Sequence, residues 1–116
     1  MKRIEEAKSI SASDRELLSE VKRIVTAMIP GATLLLYGSA ARGEREWDSD
    51  YDILVLTDAA LTTRQQDDVG SAVYALELER EVVISLLFET SERWNGNPLV
   101  KVSPYHQNVE REGMLV

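Results

Sequence analysis

At 116 residues the chain has the length of one domain, enough to bury a core unaided, and it contains no cysteine, which excludes a disulfide framework and a thiolate zinc site. Its hydrophobic fraction of 44% and charged fraction of 28% belong to a folded globular protein rather than a disordered one. A net charge of −7 argues against long nucleic acid as a partner, because neutralising a phosphate backbone needs clustered Lys and Arg. A single nucleotide stays open, since a metal, backbone N–H groups and one or two cations suffice to hold it. No apolar run approaches the roughly 18–20 residues of a membrane helix, and no signal-type apolar segment follows Met1-Lys2-Arg3, so a soluble, cytoplasmic protein is expected.

In chain order, residues 1–12 carry no sustained pattern and are expected as a loose N-terminal arm of a single domain spanning 1–116. Ser13 and Glu16 stand at capping-box spacing, and Leu17, Leu18, Val21, Ile24, Val25 and Met28 follow at helical spacing until Pro30-Gly31. An amphipathic first helix is predicted there. The apolar run of residues 33–37 reads as a buried strand ending at Gly38-Ser39, and residues 51–56 read as a second. A helix is predicted from about Thr62, with Val69, Val73 and Leu76 on one face, then a third strand over 82–88. After Trp94, Asn95-Gly96 and Pro98, a last helix is predicted over 104–112, stopped by Gly113. The predicted order is helix, strand, strand, helix, strand, helix, an α+β chain with α/β-type layering.

The chemistry concentrates in GSAARGEREWDSDYD, residues 38–52. Alternate side chains of a strand share a face, which puts the carboxylates of Asp50 and Asp52 on one side, about 7 Å apart. Both are ionised at neutral pH, and a hard divalent cation such as Mg²⁺ relieves their repulsion. Gly38-Ser39, at the end of a strand and before the helix-compatible Ala40-Ala41-Arg42, presents backbone N–H groups and a hydroxyl to a phosphate. An isolated D-x-D is more often a solvated turn than a metal site, and an isolated Gly-Ser is usually a turn. Together, with ten residues between them and a strand on each side, they form a specific signal. Arg42 reads equally as a phosphate ligand or as a solvated cation in an acidic loop.

This arrangement resembles the minimal nucleotidyltransferase domains of the DNA polymerase β superfamily, whose signature is Gly-Ser, ten residues, Asp-x-Asp. The resemblance extends to the flanking strands, the element order and the ending PYHQNVEREGMLV. It implies a small mixed sheet with helices packed against it, and transfer of a nucleoside monophosphate from a nucleoside triphosphate, AMP from ATP or the equivalent from another triphosphate, with release of pyrophosphate. It further implies Mg²⁺ held by Asp50 and Asp52, with the triphosphate at Gly38 and Ser39. Such domains add a third carboxylate on the next strand. Here alternation places Glu81, Val83, Ser85 and Leu87 on one face, so Ser85 falls where that ligand is expected and Glu81 lies only at the strand's start.

The incomplete carboxylate set leaves two further readings open: a catalytically weak or inactive nucleotide-binding, antitoxin-like module, and a structural domain with an accidental motif. Small relatives work beside a helical protein of the HEPN type in toxin–antitoxin pairs. The resemblance therefore implies such a partner on the acceptor side of the site, and the short chain, with little surface left to enclose an acceptor, independently suggests another chain or a second copy there. His106, on a predicted surface helix, reads as structural or solvated. Trp47 and Trp94 read as cover for core edges, a partner contact or, for Trp47, a base-stacking ring. Asp67, Asp68 and Glu77 to Glu81 read as a solvated helix face.

Overall fold

The computed structural model describes residues 1–44 and 50–116. Helix α1, Ala12–Met28, starts where Ser11 leaves extended backbone and its Oγ accepts the Asp14 N–H at 3.0 Å. Such a cap satisfies one of the donors that a helix start leaves unpaired. The helix therefore begins earlier than the Ser13/Glu16 spacing suggests, with Ser13 inside its first turn. Leu17, Leu18, Val21 and Val25 form its buried stripe. Strand β1, Thr33–Tyr37, leads into the short helix α2, Gly38–Ala41, and strand β2 is Tyr51–Thr57. Helix α3, Thr63–Arg80, carries a full capping box between Thr62 and Gln65. Strand β3 is Ile84–Thr90, followed by the short helices α4, Ser91–Gly96, and α5, Pro98–Lys101. Helix α6, Pro104–Glu112, has Pro at its first position, and the two-residue strand β4, Met114–Leu115, follows.

The four strands lie in the order β3-β2-β1-β4, with β1 antiparallel to β2 and β4, and β2 parallel to β3. A parallel neighbour needs a crossover, and α3 supplies it. The side-chain alternation then divides the molecule into layers. Leu34, Leu36, Ile53, Val55 and Ile84 join α1 and α3 in one apolar cluster, while Leu35, Leu54 and Leu56 meet Trp94 and Val109 of the α4–α6 layer in another. Asp52 has the same parity as Leu54, so the sheet directs it to the α4–α6 side.

Strand β3 starts at Ile84, two residues later than the apolar run suggests. Residues 81–83 serve to end α3: Glu81 adopts a left-handed conformation, φ 54°, as its C-cap, and the Val82 N–H bonds to the Glu77 carbonyl. The Glu77 carboxylate, expected to be merely solvated, accepts the Ile84 N–H at 3.0 Å and anchors the strand's first residue.

Residues 1–12 differ from the expected loose arm. Ile4, Ala7 and Ile10 are buried in the larger apolar cluster, and the Leu115 N–H donates to the Lys2 carbonyl at 2.8 Å. The Arg15 guanidinium also binds the Ile10 carbonyl, at 3.0 and 3.2 Å. Truncating a buried Ile leaves a cavity, so Ile10→Ala is expected to lower stability by about 2–5 kcal/mol in urea denaturation. A loss below about 0.5 kcal/mol, the range of a surface substitution, would mean that this segment does not pack in solution.

Candidate functional site

Gly38 closes β1 with φ +75°, a conformation that side chains disfavour, and a Cβ there would lie 2.6 Å from Asp52 Oδ2. The Asp52 carboxylate thus rests against the Gly-Ser turn: the two halves of the sequence signature meet in space through a contact that only glycine permits. In the sheet Asp52 is flanked by Tyr37 of β1 and Ser85 of β3. Burial, and secondarily the charge of Asp50, push the Asp52 carboxyl above its ordinary value. Asp50 itself is exposed and immediately precedes β2.

Two tyrosines border this carboxylate. The rings of Tyr37 and Tyr105 meet edge-on at 5.3 Å, and burial raises the pKa of both, with the Asp52 charge adding to each. Their hydroxyls influence each other's ionisation, and Tyr105 Oη is buried and makes no hydrogen bond among the described residues.

Arg42 is the C-cap of α2, and it is held by carboxylates. Its Nη1 lies 3.1 and 3.0 Å from the two oxygens of Glu112, and its Nε lies 3.4 Å from Glu44. Glu112 also accepts the Gly38 N–H at 3.3 Å. One carboxylate from the end of α6 therefore binds both the backbone donor and the cation expected at a phosphate. The sequence marked Glu112 only as the last residue of a helix before Gly113; its partners lie 70 and 74 residues away and could not be read from its neighbours.

Ser85 stands in register beside Asp52 and is exposed, the position expected for a third ligand. Glu81 is not on the strand; as the C-cap of α3 it is separated from β3. Among the described residues no group of three His, Cys, Asp or Glu side chains could hold a metal ion. Trp47 lies outside the described residues. Trp94 is buried under the sheet, and His106, expected at a surface, is buried against it, with Nε2 3.1 Å from the Trp94 carbonyl. Both are packed in the interior rather than at a solvent face. No helix among the described residues is long and apolar enough to cross a membrane.

The sequence profile of the nucleotidyltransferase domain matches residues 15–111, and the chain belongs to that family. No curated protein matches by sequence. Among solved structures, it resembles a toxin–antitoxin complex with AMP-PNP at a TM-score of 0.60 and 19% identity, over 84% of this chain and 69% of that one. It also resembles two MntA-HpeT toxin–antitoxin structures, each at a TM-score of 0.57. One carries a tyrosine-to-alanine change and is 20% identical over 85% of this chain and 70% of that one. The other has two aspartates one residue apart replaced by glutamate and is 17% identical over 84% and 69%. At these identities the likeness is one of fold.

Proposed function

We propose that the chain is a Mg²⁺-dependent nucleotidyltransferase that moves AMP from ATP to a partner protein in a toxin–antitoxin pair. The observation that carries this reading is the contact of the Gly38 turn with the Asp52 carboxylate, in a chain that belongs to the nucleotidyltransferase family. In the proposed reaction an acceptor oxygen bonds to the α-phosphorus, the bond from that phosphorus to pyrophosphate breaks, and the acceptor proton leaves to solvent. Gly38 and Ser39 hold the triphosphate, Arg42 exchanges its Glu112 contact for a phosphate oxygen, and Asp50 and Asp52 are metal ligands.

The donor set fits Mg²⁺. Two carboxylates whose charges repel, one of them partly desolvated, suit a small hard cation that usually takes one or two protein carboxylates and completes its shell with water and phosphate oxygens. Bound there, the ion supplies charge neutralisation at the reacting phosphate. The chain's own contribution is positioning, with the Gly38 turn fixing the separation of triphosphate and carboxylate.

The partner is proposed from the toxin–antitoxin complexes that share the fold, and a helical HEPN-type protein or a second copy would close the site against water. The acidic balance favours a basic face on that partner. Incubation with ATP labelled at the α-phosphate and a co-purified partner should place the label on that partner. ATP binding without transfer would favour the second reading, an inactive antitoxin-like module, which the want of a third carboxylate among the described residues supports. Failure to bind ATP would overturn both.

Ser85→Asp tests that third position. A carboxylate beside Asp52 should tighten metal-dependent nucleotide binding or raise transfer by about tenfold, the effect of one well-placed charged contact. Glu81→Gln should leave both unchanged. The opposite pattern would assign the third ligand to Glu81.

A further inference from the structure

We propose that the cavity between β2, β3 and the α4–α6 layer receives the nucleobase of the nucleotide and selects a base with an exocyclic amine beside a ring nitrogen, as in adenine. The inference rests on the nucleotidyltransferase reading and deepens it. The cavity measures about 280 Å³, just below the range of drug-sized ligand sites at roughly 300–1,000 Å³ and suited to one flat ring system. It opens on the sheet face that carries Asp52. Leu54, two residues beyond Asp52, and Leu87, its partner on β3, form part of the lining, so the cavity begins about 7 Å from the carboxylate. Tyr105 links the two places: it lines the cavity, and its hydroxyl feels the charges of both Asp52 and Glu89.

The lining is mainly apolar, with Trp94 and Tyr105 among the leucines, and it offers polar groups of defined sign. Glu89 is an acceptor. Its Oε2 takes the Arg93 Nε at 3.2 Å and its Oε1 takes the Thr90 N–H at 3.1 Å, which leaves a lone pair on each oxygen for a ligand amine. Tyr105 Oη, buried and making no hydrogen bond among the described residues, can donate its proton to a ligand acceptor. An amine next to a ring nitrogen answers both. A carbonyl in place of the amine, as in hypoxanthine or uracil, would set its oxygen lone pairs against those of the Glu89 carboxylate, two acceptors with no proton between them. An aromatic amino-acid side chain from an acceptor protein supplies neither an amine nor a ring acceptor of this kind.

Calorimetric titration of Mg²⁺ tripolyphosphate, Mg²⁺ ATP and Mg²⁺ ITP into the wild type, Glu89→Gln and Leu87→Trp separates the cavity from the phosphate site. Wild type should bind ATP about tenfold or more tightly than ITP, the worth of a charge-assisted hydrogen bond. Glu89→Gln, whose amide both donates and accepts, should bring the two to parity. Leu87→Trp, placed at a partly exposed wall, should lower ATP affinity to that of tripolyphosphate, with tripolyphosphate unchanged on all three proteins. Equal binding of ATP and ITP to the wild type needs no variant to interpret and would overturn the inference. So would ATP binding no tighter than tripolyphosphate, which leaves the nucleotidyltransferase reading standing. If neither ligand binds, both fall.

Discussion

Asp52→Asn is expected to reduce nucleotidyl transfer by at least about a hundredfold, the upper end of what even an outer-shell partner of a metal site costs, and Asp50→Asn should follow it. The same change should not damage the fold. Burial and the neighbouring Asp50 raise the Asp52 carboxyl above 3.8, so the native state holds that proton more tightly than the unfolded chain does. Ionisation therefore costs native stability, and the cost is absent below 3.8 and complete above the raised value. The variant should consequently be as stable as the wild type or more so at neutral pH. Its advantage should vanish as the pH falls below 3.8. Urea denaturation at several pH values checks the sign, and a loss of stability at neutral pH would contradict it.

Gly38→Ala carries the second large expectation. A left-handed backbone costs a non-glycine residue about 1–3 kcal/mol, so stability should drop by that amount. The added Cβ would also stand 2.6 Å from Asp52 Oδ2, and the carboxylate must move to make room. A shift on the order of 1 Å in a positioning group can lower a rate about a hundredfold, so transfer should fall nearly as far as in Asp52→Asn. Ser39→Ala introduces no such clash and should retain more activity. A Gly38→Ala protein with wild-type stability and rate would show that the Gly-Ser turn and Asp52 are not in contact in solution.

The signature was legible because its parts are local. A strand ending in Gly-Ser and a strand beginning after Asp-x-Asp can each be read from a few neighbours, and the antiparallel pairing of Tyr37 with Asp52 brings them together. Thr62 and Pro104 marked their helix starts for the same reason. The residues that escaped depend on distant partners. Ile4, Ala7 and Ile10 are too few to show a helical period, and they are buried because the larger core cluster covers them. Strand β4 is two residues long and exists through its pairing with β1. Glu81 reads as the start of an apolar strand, yet the end of α3 claims it. Glu112 acquires meaning only when α6 delivers it to Gly38 and Arg42, across most of the chain.

A structure of the protein with Mg²⁺ and a non-hydrolysable ATP analogue tests the central claim most directly. The account predicts the ion between the Asp50 and Asp52 carboxylates, the triphosphate against Gly38 and Ser39, and Arg42 turned from Glu112 to a phosphate oxygen. A nucleotide bound elsewhere, with both aspartates unliganded and Arg42 still on Glu112, would contradict it.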